Sequence, residues 1–221
     1  MNKNIFKLII LSIVFITNVY SKDISSNNIL NTDDIRMINN VMVKKALDFK
    51  NYDDLTTIAI SFYATSLNEN FKGDRNSLKN RAFELLKLAS YNKNLRASLF
   101  IITNFMKTNP NTVYELSKRV LKRNLIKEEN GFSKVAYSFV SIYTVLALEH
   151  HSTSIEDMNL ALDSIDMLKK DSSLLDLYRA FIFKSLDSES LATTYLTKAC
   201  SSKEHNKKVF EFCNGKDVNV K

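Results

Sequence analysis

The sequence predicts an all-α protein, an α/α solenoid of about five antiparallel helix pairs preceded by a signal peptide, on three observations. Three glycines and one proline in 221 residues leave few breakers, and no spaced alternating run of β-branched residues marks a strand. Apolar residues recur at i, i+3, i+4 and i+7 along most of the chain. The clearest stretch, residues 79–106, holds two such helices around a short polar break. A pair of that kind folds back on itself yet cannot bury both its apolar faces alone, so each pair completes the core of the next.

Residues 1–21 have the form of a secretory leader. Lys3 and Lys7 precede an apolar run from position 8 to 16, and Val19 and Ser21 are small enough for a signal-peptidase site, with cleavage after Ser21. The run is short against the roughly 20 apolar residues of a spanning helix, and no Cys follows it for lipid attachment. The expectation is a periplasmic or secreted protein with no stable membrane insertion after cleavage. Retention of the leader as a membrane anchor is the alternative. Residues 22–31 are polar and Ser/Asn-rich, a disordered leash. The helical-repeat domain is expected over 32–213, with 214–221 a flexible tail.

Each helix has its own signal. Thr32 can cap a first helix whose opening turn carries Asp33 and Asp34, with Ile35, Ile38, Met42, Ala46 and Phe49 as its buried stripe. A second helix over 53–67 turns Leu55, Ile58, Phe62 and Leu67 inward. In the third, Ala82, Leu85, Leu86 and Ala89 share one face. After the break at 91–94, a fourth carries Leu95, Leu99, Ile102 and Met106, and Ala97, Ile101 and Phe105 make it apolar on a second side.

Beyond Pro110, Thr112 and Glu115 stand at capping-box spacing before Val113, Leu116 and Val120. A loop at 128–131 leads to residues 132–148, the most apolar helix. Its serines and threonine and its short length mark it as a buried central helix rather than a span. A capping box at Thr153 and Glu156 opens the next pair, with Ala161, Ile165 and Leu168 on one helix and Leu174, Tyr178 and Phe181 on the other. Ala192, Tyr195, Leu196 and Ala199 repeat the first-helix pattern. His205, Val209 and Phe212, among Lys203, Lys207 and Lys208, form a terminal helix with a polar outer side.

Charge and chemistry narrow the function. The formal charge of +7 falls to +5 once Lys3 and Lys7 are removed, and no basic stripe interleaved with aromatics appears, which disfavours nucleic acid. Adjacent His150 and His151 diverge by about 100° on a helix and make poor joint metal ligands. Ser90 and Lys93 have the S-x-x-K spacing but no companion motifs, and they fall in a turn. No cofactor, metal or catalytic set is implied. Cys200 and Cys213 are an even pair in an exported chain, which favours a disulfide. Against it, a tight turn near Lys203 would leave Cys213 about 10 Å beyond the residue facing Cys200, where a bridge needs Cα atoms within roughly 7 Å. Bridged cysteines and buried thiols both stay open.

The string A-x-x-Y-L-x-K-A-C at Ala192 to Cys200, with R-A-F-E-L-L-K-L-A at Arg81 to Ala89, resembles the Sel-like branch of tetratricopeptide-type repeats. The resemblance implies a solenoid that binds a protein or extended peptide on a concave face lined by first helices. Outward positions there are Arg81, Glu84, Lys87, Arg119 and Lys198. Secreted members often staple each unit with a cysteine pair, at shorter spacing than here. Some have been linked with β-lactam binding, which makes a cell-envelope enzyme the alternative to a non-enzymatic scaffold.

Overall fold

Among the described residues the apolar periodicity is realised as helix, with Phe105 and Met106 just beyond the end of theirs. The computed structural model describes residues 35, 37–123, 134–150, 154–168, 172–202 and 207–214, and every regular element among them is helical. A π-helical turn, Ile38–Met42, runs directly into α1 (Val43–Asp48). It is followed by α2 (Tyr52–Ser66), α3 (Arg75–Tyr91), α4 (Leu95–Asn104), α5 (Pro110–Lys122), α6 (Lys134–His150), α7 (Ile155–Met167), α8 (Ser173–Ser185), α9 (Glu189–Ser201) and α10 (Lys207–Cys213). The leader with its cleavage site, the leash, the Thr32 cap with Asp33 and Asp34, the 128–131 loop, Thr153, His151, His205 and the tail beyond Asn214 lie outside the described residues. No described helix is long and apolar enough to cross a membrane.

The described residues fall into two compact units, one ending at Leu116 and the other starting at Ser117, inside α5. In the N-terminal unit, α3 packs between α2 and α4, while α2 also meets α1 and α4. Leu55, Phe62, Ala82, Leu85, Leu86 and Ala89 are buried as the periodicity predicts. Alanines at 59, 82, 89 and 97 are all inaccessible, and such small side chains let helix backbones approach closely. On α4 the inward face is the Ala97, Ile101 and Ile102 side, and Leu95 and Leu99 are only half-buried.

Two expected stripes are corrected. Met42 and Phe49 are 49% and 75% exposed, whereas Val43 and Ala46 are buried. The cause is the π turn. Its wider i→i+5 ring turns less per residue than an α-helix, so the phase carried forward from Ile38 slips and Val43 takes the inward place expected of Met42. Leu67 is 58% exposed because α2 ends at Ser66 and Leu67 sits beyond it as the C-cap.

In the C-terminal unit, α8 packs against α6, α7 and α9, and α10 closes on α8 and α9. Residues 138–148 of α6 are buried without interruption, as expected of a central helix. Ala161, Ile165, Leu168, Leu174, Tyr178, Ala192, Ala199 and Val209 are buried, and the Phe181 and Phe212 rings meet edge-on at 5.7 Å. Leu196 stands apart from the pattern at 37% exposure. The capping box expected at Thr112 and Glu115 does not form. The chain is already helical at Pro110, a favoured first-turn residue, so Thr112 lies inside that turn. At α7 the cap is Ser154, whose side chain accepts the Asp157 N–H at 3.3 Å.

One turn geometry recurs between consecutive helices, α1 to α2, α3 to α4 and α8 to α9. Lys50, Lys93 and Asp187 each adopt positive φ (52°, 69° and 55°). The N–H groups of Asn51, Asn94 and Ser188, one residue on, donate back to the carbonyls of Ala46, Ala89 and Phe183 at 2.8, 3.1 and 2.8 Å. This is a Schellman closure with the left-handed place taken by Lys or Asp, at some conformational cost, where glycine is usual. Asn51 and Asn94 then cap the next helix, accepting the N–H groups of Asp54 and Ala97.

Cys200 and Cys213 are joined by a disulfide, with Cα atoms 5.6 Å apart. The register argument against it assumed a tight turn. Ser202 leaves α9 in an extended conformation, and α10 carries Cys213 to within bridging distance of Cys200. Closing so short a loop stabilises by about 3 kcal/mol on the chain-entropy model. Cys200→Ser with Cys213→Ser is therefore expected to lower the thermal midpoint in non-reducing buffer, and an unchanged midpoint would show that the bridge constrains nothing.

Candidate partner-binding surfaces

On the N-terminal unit, α3 presents Arg81 and Glu84 to solvent with Lys87 partly covered, as its helical phase requires. Glu84 and Lys87 pair with each other at 2.8 Å. Lys87 also lies 5.6 Å from the centre of the Phe83 ring. Phe83 belongs to an aromatic cluster with Phe105, Tyr63 and Phe100 at centroid separations of 4.8 to 5.2 Å. Lys79, one turn before Phe83, stands over Tyr63 and Phe105 at 5.9 and 6.0 Å. The α3 face is thus an aromatic floor roofed by lysine stems, an arrangement suited to cation–π contacts. Burial pushes the Tyr63 phenol above its ordinary pKa, so it stays neutral and able to donate at any physiological pH.

The turn residues build a second feature on the same unit. A shallow groove of about 530 Å³ is lined by Lys50, Tyr52, Asp53, Lys93, Asn94 and Arg96, among others. Asn94 Nδ2 donates to Asp53 Oδ1 at 2.7 Å and Arg96 donates to Thr57 at 3.1 Å, tying the start of α4 to α2. Sequence periodicity did not point to this groove. The recurring Lys-Asn pair, 50–51 and 93–94, was the available signal.

The C-terminal unit holds the other expected residues in a more structural setting. Arg119 is half-buried on α5. Lys198 is not simply an outward charge, because its Nζ lies 3.3 Å from Asp176, whose carboxylate is 4% exposed. Arg179 pairs with the same Asp176 at 2.9 Å and with Asp166 at 2.7 Å, and its guanidinium packs 5.6 Å from the Tyr195 ring. A second buried carboxylate, Asp157, receives Lys118 at 2.7 Å and the Tyr143 hydroxyl at 2.8 Å. At its neighbour Glu156 a hydrogen bond from Lys122 holds the carboxyl below its ordinary range, helped by the charges of Lys122 and Lys118.

The chain matches no family model, no curated protein and no solved structure. The buried Ser90 hydroxyl is hydrogen-bonded to Ser98 at 2.6 Å, and Lys93 is exposed in the left-handed turn. Among the described residues no group of three or more His, Cys, Asp or Glu is placed to hold a metal. The buried acids are met by lysine, arginine and tyrosine. Lys118 with Asp157 and Arg179 with Asp166 tie neighbouring helices together.

Proposed function

We propose that this chain is an exported, non-enzymatic scaffold built of tetratricopeptide-like helix pairs, which holds a protein or peptide partner on outward faces of its first helices. The observation that carries the reading is the recurrence of one turn geometry inside two helix pairs, at Lys50 and Lys93, which supports a chain assembled from similar helix–turn–helix pieces. The disulfide supports an oxidising compartment, in keeping with the leader. Within that reading the outward positions of α3, Arg81, Glu84 and Lys87, are the principal contact, with Lys87 and Lys79 beside the aromatic cluster, and this face suits an extended peptide with acidic or aromatic side chains. Arg119 and Lys198 contribute on the other unit. Lys198 also neutralises Asp176, so its reversal is a poor test.

The test is capture from the protein's own periplasmic extract with Arg81→Glu and Lys87→Glu combined. A partner retained by the native protein should be lost at least in large part. The melting temperature should move little, since Arg81 is exposed and the Lys87–Glu84 pair is open to solvent in part, and surface charges of this kind contribute about 0 to 1 kcal/mol each. Retention at native strength moves the contact off α3. Turnover of an envelope substrate that Ser90→Ala abolishes in a folded protein would return the reading to an enzyme.

A further inference from the structure

The π turn and α1 present an apolar row that the core does not use. Met37, Val41 and Phe49 are spaced by multiples of four residues and are 58%, 60% and 75% exposed, with Met42 and Leu47 beside them at 49% and 38%. A four-residue row drifts around a pure α-helix. Here the slower rotation of the π turn offsets the drift in α1, so the row stays on one side. The fourth member of the row, between Val41 and Phe49, is Lys45. Lys44 and Lys50 flank it, and all three lysines are exposed. Over residues 37–50 Asp48 is the one carboxylate. The next two, Asp53 and Asp54, accept from the Asn94 and Asn51 amides at 2.7 Å each and keep their charge, so the cations Lys44, Lys45, Lys50, Lys93 and Arg96 outnumber the acids Asp48, Asp53 and Asp54. Past Phe49 the row meets the groove at Lys50, which shares the lining with Lys93, Arg96 and Asp53.

We infer that this end of the N-terminal unit is a peripheral docking surface for a bilayer rich in anionic phospholipid. Phe49, Val41, Met37 and Met42 enter the boundary between headgroups and acyl chains. Lys44, Lys45 and Lys50 extend their stems outward so that their ammonium groups meet phosphates, and Lys93 and Arg96 add to that field. The central position of Lys45 argues for lipid over a second copy of the chain. In a twofold contact the row would face itself, bringing like charges together in a desolvated seam, whereas a bilayer offers phosphates at the depth a lysine reaches. This surface is distinct from the α3 contact and does not depend on it.

The chain has no tryptophan, so Phe49→Trp in the full chain creates a single reporter at a solvent-exposed site. Its emission should shift to the blue with phosphatidylglycerol vesicles, and the shift should reverse in high salt. Pure phosphatidylcholine vesicles should leave it unchanged. Adding Met37→Ser and Val41→Ser should weaken the apparent partition about tenfold or more, because apolar burial carries the insertion. Insertion of the leader alone leaves the introduced indole in water, so an unshifted spectrum overturns the proposal even when the protein sediments with vesicles. So does equal partition into both lipids. A lipid-free blue shift that grows with protein concentration overturns it in favour of self-association.

Discussion

Asp157→Ala is expected to cost the C-terminal unit about 3 kcal/mol, the lower end of the range for breaking a buried ion pair. Asp157 is 3% exposed and lies between two donors from different helices, Lys118 of α5 and Tyr143 of α6. Deleting the carboxylate removes their shared acceptor at once. Lys118 is 21% exposed and can swing toward water, which keeps the cost from the top of the range. Tyr143→Phe should cost less, about 1.5 to 3 kcal/mol, because the carboxylate keeps Lys118. Urea denaturation measures both. If Asp157→Ala proved no worse than Tyr143→Phe, the lysine would contribute nothing and the pair would be incidental.

That ion pair shows where sequence reading stops. Lys118 and Asp157 are ordinary solvated charges in a one-dimensional pattern, and only the folded arrangement of α5 and α7 makes them partners. Elements governed by local physics were legible. Ala82, Leu85, Leu86 and Ala89 on α3, and Ala161 and Ile165 on α7, are buried where the 3.6-residue period places them, because a regular helix carries phase faithfully along its length. Phase failed at Met42 and Phe49, where one π turn intervenes and no residue announces it. Turns were obscured for a related reason. Their left-handed residue is lysine or aspartate, so the glycine that usually signals a helix end is missing at Lys50, Lys93 and Asp187. The cysteine pair was legible by count, but its geometry depended on how α9 ends at Ser202. Outward positions on α3 followed from phase, whereas the engagement of Lys198 with Asp176 is long-range and did not.

Phe62→Ala and Phe49→Ala separate the two kinds of reading most sharply, since periodicity assigns both rings to a buried stripe. Phe62 has no accessible surface, and α2 holds it among helices on several sides. Truncation there leaves a cavity that rigid neighbours fill only in part, so the expected loss is about 3 to 5 kcal/mol. Phe49 is 75% exposed, and its truncation should fall within about 0.5 kcal/mol of the native protein. The comparison is made on the urea midpoint with the slope held constant, which keeps the effect on the folded state. A large loss at Phe49 would place its ring in a core and would withdraw both the phase slip across Ile38–Met42 and the apolar row that depends on it. A small loss at Phe62 would mean that α2 collapses onto the vacated space, and the close approach of helices at Ala59, Ala82 and Ala89 would then have to be looser than their burial implies.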